Sequence, residues 1–333
     1  MSSGNSNNEL PANFKSNEYM LDLMKKVVEH RKVAESTGFS YIKTLSMLND
    51  KQPFKALTFL KRTEDIEKKI AEYSENTQRT ILSTITSVLS LFKDKPAFKK
   101  TYTYYYDRMM GKAKEMKDTD DAKKTDKQKD AWIEWKDVEA KLEELKTKVK
   151  TFDTAKTLTA SQYETLLQYI ILSLYVYQAP RRNLDYLEMY VVNKAPTSTT
   201  KNYLVLNNKK PQEFIFNVFK TQKTYNQQKI DLNDSTKTAL TTYLKYHPLA
   251  KGNRSKTTEY KLLVHYDGSP LTSVNAITRV LNRIFSKKIG SSMLRHIYLS
   301  SKYDIQEMTK DSEAMGHSLE EQRKYMKEKN KEE

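Results

Sequence analysis

The sequence predicts a mainly α-helical protein with a small antiparallel β-sheet, an α+β arrangement. Apolar residues recur at helical spacing along most of the chain, and most regularly over residues 77–92. One block, residues 181–232, is instead rich in β-branched and aromatic residues broken by turn sequences. With 38% hydrophobic and 11% aromatic residues among 333, the chain can bury two full-sized cores.

The charge balance indicates a polyanionic partner, because 58 Lys and Arg outnumber 42 Asp and Glu for a formal charge of +16. Nucleic acid and an anionic membrane surface both fit that charge. The longest apolar stretch, residues 166–176, is too short to span a bilayer. The N-terminus lacks the apolar segment of a signal peptide, and the absence of cysteine excludes disulfides and thiol chemistry. We therefore expect an intracellular protein that is not secreted.

Residues 1–36 are predicted to form an N-terminal arm, partly disordered because its first part is rich in Ser and Asn. Residues 37–117 are predicted to form a helical module. Its lysines and arginines either solvate a helix bundle or grip duplex DNA through phosphates. The periodic segments predict helices at residues 40–48, 63–73, 77–92 and 97–114.

Residues 118–155 are predicted to be a charged linker followed by a helix at residues 132–150, which could dock on either neighbouring domain. The remaining residues, 156–333, are predicted to form a second domain. A capping box of Thr159 and Gln162 opens a core helix that runs to Pro180. Strands are expected within residues 181–192, 203–208, 213–221 and 228–232, and further helices at residues 235–246 and 273–285.

The C-terminal part, from Ser291 to Met326, is predicted to hold three short helices. Ser291 or Ser292 can cap the first, which carries Arg295 in its first turn. Asp304 can open the second. The third begins after His317 at a capping box, Ser318 with Glu321, and it directs Tyr325 back toward that histidine.

These residues resemble a known signature. The sequence L-R-H at residues 294–296, then M-G-H-S at residues 315–318 and then Tyr325, resembles the C-terminal motif of the tyrosine recombinase (phage-integrase) family. That family also needs an upstream arginine and lysine, in that order. Both are present in segments that resemble the family's patterns.

The upstream arginine lies in APRRNLDYLEM, which resembles the family's box I, an arginine followed three residues later by a supporting acidic residue. The resemblance implies Arg182 with Asp185, and a register slip of one residue would select Arg181 instead. NVFKTQKTYNQQKIDL resembles the family's β-hairpin, with a lysine before its turn. This implies Lys220, with Lys223 as the alternative.

The resemblance also implies a role for each residue. Arg182 and Arg295 would bracket the nonbridging oxygens of a scissile phosphate. Tyr325 would attack phosphorus to form a 3′-phosphotyrosyl link, and Lys220 would protonate the departing 5′ oxygen. His317 would hydrogen-bond the phosphate or the tyrosine oxygen. No metal or other cofactor is implied.

The sequence departs from the family pattern at two places. Where the family usually has a histidine three residues before the second arginine, this chain has Ser292. His296 is a candidate substitute, although consecutive helical residues point about 100° apart. The interval from His317 to Tyr325 is one residue shorter than is common in the family.

The resemblance implies a core-binding domain at residues 37–117 and a tyrosine-recombinase catalytic domain at residues 156–333, which together clamp double-stranded DNA. We expect a site-specific recombinase or integrase that is a dimer on one site and a tetramer in a synaptic complex. The PRRN and LRHIY variants resemble recombinases of large eukaryotic DNA viruses and their mobile elements, which would place the protein in a host nucleus or viral replication compartment. The alternatives are a type IB topoisomerase-like enzyme and a nonenzymatic DNA-binding protein on the same fold.

Overall fold

The computed structural model of the chain describes residues 17–117, 124–252, 259–304 and 308. The chain divides into two compact units, Met1–Asp121 and Ala122–Glu333, and each has its own hydrophobic core. Over the described ranges, no helix is both long enough and apolar enough to cross a membrane.

The first unit is helical throughout its described residues. Its α-helices are α1 (Glu18–Arg31), α2 (Glu35–Leu48), α3 (Thr63–Ala71), α4 (Glu75–Leu89) and α5 (Pro96–Lys117). Short 3-10 turns at Thr58–Lys61 and Ser90–Phe92 precede α3 and follow α4. The helices expected from apolar periodicity are all present, and α2 and α4 begin earlier than the sequence analysis placed them.

Helix α1 belongs to the core of this unit, although the sequence analysis assigned it to an arm over residues 1–36. Met20, Leu23 and Val27 are buried and share one apolar cluster with side chains of α2 and α4. Their spacing places all three on one face of the helix. Burial of that face makes the helix a structural part of the unit.

The second unit combines helices with one sheet. Its helices are α6 (Asp126–Ala131), α7 (Trp135–Lys150), α8 (Ala160–Val176), α9 (Asn183–Leu187), α10 (Gln222–Tyr225), α11 (Asp234–Tyr246), α12 (Pro248–Gly252), α13 (Val274–Phe285) and α14 (Ser291–Lys302). Its strands are β1 (Met189–Val192), β2 (Asn202–Asn207), β3 (Lys210–Phe216), β4 (Gln228–Asp231) and β5 (Glu259–Lys261). The predicted α+β class, mainly helical with a small sheet, is confirmed.

Helix α8 is the centre of this unit. The predicted capping box is present, since Thr159 and Gln162 exchange side-chain and backbone hydrogen bonds. Nearly every apolar side chain of α8 is buried. Helix α7 packs along α8 through the predicted seam of Val138, Leu142, Leu145 and Val149. The helix expected at residues 132–150 therefore docks on the second unit.

The sheet has the order β4-β3-β2-β1-β5, and it is mixed where the sequence analysis expected antiparallel pairing throughout. Strands β1 and β2 are parallel, and the other three pairs are antiparallel. The reason is the connection over residues 193–201, which carries the chain back to the start of β1 before β2 begins. In contrast, Asn208 and Lys209 have positive φ angles and form a tight hairpin turn between β2 and β3.

Two local expectations are corrected by the structure. The segment over residues 181–192, expected to be a strand, begins as helix α9 and becomes extended only from Met189. Helix α14 has Gly290 as its N-cap with no side-chain capping bond, so neither Ser291 nor Ser292 caps it. The helices predicted to follow, from Asp304 and from Ser318, extend over residues outside the described ranges.

Candidate functional site

Arg181 makes an ion pair, a hydrogen bond and an aromatic contact within the fold. Its Nε donates to Asp185 Oδ2 at 2.9 Å and its Nη1 donates to Gln228 Oε1 at 2.8 Å. The guanidinium also lies 3.7 Å from the ring centroid of Phe216. Gln228 pairs with Phe216 across β3 and β4, so Arg181 joins the turn after α8 to the base of this hairpin.

Asp185 supports Arg181, whereas the resemblance implied that it supports Arg182. The Asp185 side chain is only 5% exposed, and burial raises its pKa while the Arg181 guanidinium opposes that rise. Arg182 is the N-cap residue of α9 in extended conformation, and its carbonyl accepts the Asp185 backbone N–H at 3.0 Å. Its side chain is half-buried and makes no ion pair with any described residue.

The positive charge of Arg182 acts on Arg295, and no described residue forms an ion pair with Arg295. Its Nε is buried and has no hydrogen-bond acceptor among the residues that the structure describes. Burial lowers the pKa of Arg295, and the positive charge of Arg182 lowers it further, while Asp185 and Tyr175 oppose the change. Two neighbouring guanidiniums with unused donors are a site for an oxyanion.

Two polar residues that the sequence analysis did not select, Tyr175 and Asn183, lie near the start of α14. The Tyr175 hydroxyl is buried near Ser291 and Arg295, and it donates to Asn183 Oδ1 at 2.8 Å. Asn183 Nδ2 in turn donates to Thr278 Oγ1 at 2.9 Å. Burial holds the pKa of Tyr175 well above its usual value, so its phenol remains neutral. A signal for Asn183 was its place directly after the arginine pair in PRRN.

Lys220 and Lys223 lie in the segment that joins β3 to β4, as the hairpin resemblance implied. Both side chains are exposed, and neither makes an ion pair with a described residue. Lys220 follows the end of β3, and Lys223 belongs to the short helix α10. The base of the hairpin contacts Arg181 through Gln228, which ties the lysine segment to the arginine turn.

Ser292 and His296 are both exposed on α14 and are four residues apart, so they share one helix face. Arg295 is half-buried beside them. His317 and Tyr325 lie outside the described residues. The structure thus brings together Arg181, Arg182, Asp185 and Arg295, and it links them to the lysine hairpin.

The arrangement can bind a tetrahedral anion and stabilise negative charge that develops on it, because Arg182 and Arg295 are half-buried cations that form no ion pair with a described residue. Over the described ranges, no three His, Asp or Glu side chains are grouped as metal ligands would be. Comparison with protein-family models, with curated proteins and with solved structures finds no match to this chain.

Proposed function

We propose that this chain is a tyrosine-type DNA strand transferase, a site-specific recombinase or integrase. The observation that carries the proposal is that Arg182 and Arg295 repel each other electrostatically and that neither has an ion-pair partner in the described chain. The buried Arg295 Nε also lacks an acceptor among the described residues. A phosphodiester supplies the missing negative charge and acceptor oxygens. The formal charge of +16 favours DNA as the molecule that carries this phosphodiester.

In the proposed reaction, the Tyr325 oxygen attacks phosphorus, an O–P bond forms to the tyrosine, and the P–O5′ bond breaks. Lys220, or Lys223 from the same segment, donates a proton to the 5′ oxygen. The phenolic proton passes to water or to His296. Arg182 and Arg295 stabilise the extra negative charge while phosphorus is five-coordinate. Attack by a 5′ hydroxyl on the phosphotyrosyl bond reverses these steps and rejoins the strand.

The direct test is a covalent adduct. Because the target sequence is unknown, the substrate is a pool of nicked duplexes with a randomised centre, and adducts are recovered after denaturation and sequenced at the attached ends. Wild type is expected to yield adducts through Tyr325 that converge on one sequence, whereas Tyr325→Phe yields none and still binds DNA. Adduct formation by Tyr325→Phe at the wild-type level would remove Tyr325 from the mechanism.

The same reagents separate the alternatives. Adduct formation together with relaxation of supercoiled plasmid, but without exchange between two mapped sites, would indicate a type IB topoisomerase-like enzyme. DNA binding without any adduct would indicate a nonenzymatic DNA-binding protein, the alternative suggested by serine at position 292. Exchange between two sites requires synapsis, which is expected to involve four copies of the chain, two on each site.

A second test needs no target sequence. Inorganic phosphate is expected to raise the unfolding midpoint of the second unit, because a ligand that binds only the folded state stabilises it by mass action. Arg182→Gln and Arg295→Gln should each lose most of this response. Arg283→Gln is the matched control, since Arg283 is exposed on α13 of the same unit and paired with Glu164. An equal phosphate response in all four proteins would argue against an anion site at the arginine pair.

A further inference from the structure

Asn202, at the start of β2, is fully buried and uses its whole amide group. Its Nδ2 donates to the carbonyl oxygens of Asp185 and Val218, each at 2.9 Å. Its Oδ1 accepts the backbone N–H groups of Asn217 and Val218, each at 2.8 Å. An asparagine side chain offers two donor hydrogens and two acceptor lone pairs, so all four are satisfied here.

These four bonds join two parts of the candidate site. Asp185 lies in α9, and its carboxylate holds Arg181. Asn217 and Val218 are the first residues beyond β3, where the segment that carries Lys220 and Lys223 begins. Asn202 therefore ties the backbone of the arginine turn directly to the backbone of the lysine segment.

A second contact closes the same segment from its other end. Gln227, just before β4, donates from Nε2 to Asn217 Oδ1 at 2.6 Å, and Asn217 Nδ2 donates to the Lys201 carbonyl at 2.7 Å. The two ends of the segment are thus held at Asn217, next to the Asn202 amide. The exposed lysines between these ends form no ion pair with any described residue that could orient them.

We propose that Asn202 is a positioning residue, which sets the place of the lysine segment relative to the arginine pair so that a lysine reaches the 5′ leaving oxygen. This inference rests on the proposed function, and it holds whether Lys220 or Lys223 is the proton donor. Asn202 never touches the substrate in this proposal. Its amide is specific for the task, because an aspartate would lose both donors and a leucine would lose all four bonds.

The test compares an ordinary phosphodiester with a 5′-bridging phosphorothiolate at the mapped cleavage site, because sulfur leaves without a proton. Removing a general acid slows cleavage by about 10²- to 10⁴-fold. In Asn202→Ala the lysine is displaced but still present, so the loss should be smaller, about tenfold to a hundredfold. Asn202→Ala should show that loss on the phosphodiester and recover to near the wild-type rate on the phosphorothiolate. The double variant with Lys220→Ala, or with Lys223→Ala if that lysine is the donor, should be no slower than the lysine variant alone.

Two further variants keep the test decisive. Gln227 is exposed, so Gln227→Ala removes one partly buried hydrogen bond at the end of the segment without opening the core. It should show a smaller loss that the phosphorothiolate also restores. Tyr163→Phe removes a buried hydroxyl elsewhere in the same unit and should cut both substrates at the wild-type rate. If Asn202→Ala fails to fold, the Gln227→Ala result decides.

The outcomes separate the two proposals. Absence of adduct from wild type overturns the proposed function. The positioning role alone is overturned by a different set of results. Wild type forms the adduct and the phosphorothiolate rescues a lysine variant, but Asn202→Ala and Gln227→Ala lose equally on both substrates. A wild-type rate for both variants on the phosphodiester also overturns it.

Discussion

Replacement by methionine should destabilise the second unit at Arg181 but not at Arg295. Arg181→Met leaves the Asp185 carboxylate, whose side chain is 5% exposed, without its ion-pair partner. It also removes the guanidinium from the face of Phe216. Arg295→Met instead removes a buried donor that has no acceptor and relieves repulsion from Arg182.

The expected magnitudes follow from these contacts. Breaking a buried ion pair by removing one partner costs about 3 to 5 kcal/mol, which we expect for Arg181→Met at neutral pH. A buried unsatisfied polar group costs about 1 to 3 kcal/mol. Methionine at position 295 should therefore leave the free energy of unfolding unchanged or raise it by up to about 2 kcal/mol, since Arg295 also loses an attraction to Asp185.

The pH dependence of the Arg181→Met effect has a definite sign. Burial already raises the pKa of Asp185, and loss of Arg181 raises it further. A carboxyl whose pKa is higher in the folded state destabilises the fold above that pKa and not below the pKa of the unfolded chain. The penalty should therefore be largest near neutral pH and shrink in acid.

Urea unfolding followed by tryptophan fluorescence measures these effects in the intact chain. Both tryptophans, Trp132 and Trp135, lie in the second unit, and Trp135 packs on Tyr298 of α14 at a ring distance of 5.2 Å. Arg283→Met is the control and should change the unfolding free energy by less than about 1 kcal/mol, because its ion pair is exposed. Destabilisation by Arg295→Met of more than about 1 kcal/mol would refute the reasoning and make Arg295 a structural residue.

Three further predictions concern DNA affinity, helix capping and a buried histidine. Binding to duplex DNA should weaken about a hundredfold between 50 and 200 mM salt if about four phosphates are contacted, and a flat titration would contradict such binding. Ser292→Ala should change the unfolding free energy by less than about 0.5 kcal/mol, because Gly290 is the N-cap. Ser292→His should leave adduct formation intact or raise it. Complete loss of adduct in a folded Ser292→Ala protein would make Ser292 a catalytic group. Burial lowers the pKa of His247 to about 4, so its neutral ring contributes stability that is fully present above the unfolded pKa of about 6.5. As the pH falls from 6.5 to 4, the free energy of unfolding should drop by about 3 kcal/mol relative to His247→Gln. Parallel pH profiles of the two proteins would rule this out.

Apolar periodicity predicted the helices well, because burial of one face imposes the same spacing on the sequence that it imposes on the structure. The seam of Val138, Leu142, Leu145 and Val149 and the capping box at Thr159 are examples. The motif of Arg181, Arg182 and Asp185 could also be recognised in the sequence, because all three residues lie within five consecutive positions. Which unit α7 packs against was not predictable, because an apolar seam does not specify its partner.

Pairing and partner choice depend on contacts between residues far apart in sequence. The parallel pairing of β1 with β2 follows from the path of residues 193–201. The polar sequence of this connection does not indicate whether the next strand pairs parallel or antiparallel. Asp185 could accept from either arginine, and the position of Gln228 at the hairpin base favours Arg181. Asn202 stands in an apolar strand where sequence alone shows no partner, and its role is visible only from its four hydrogen bonds.

The two adjacent arginines of the turn after α8 differ in what remains for a ligand. Arg181 donates hydrogen bonds from Nε to Asp185 and from Nη1 to Gln228. These bonds attach the turn after α8 to the hairpin and leave little of the Arg181 guanidinium for a ligand. The positive charges of Arg182 and Arg295 repel each other, and this repulsion destabilises the protein when no anion is bound. A bound anion would offset the repulsion between the two arginines and accept a hydrogen bond from Arg295 Nε. Binding should therefore stabilise the second unit and favour one arrangement of α14. The positive charge of Arg182 and Arg295 therefore has two effects. It destabilises the fold when no anion is bound, and it would stabilise the complex with a phosphodiester.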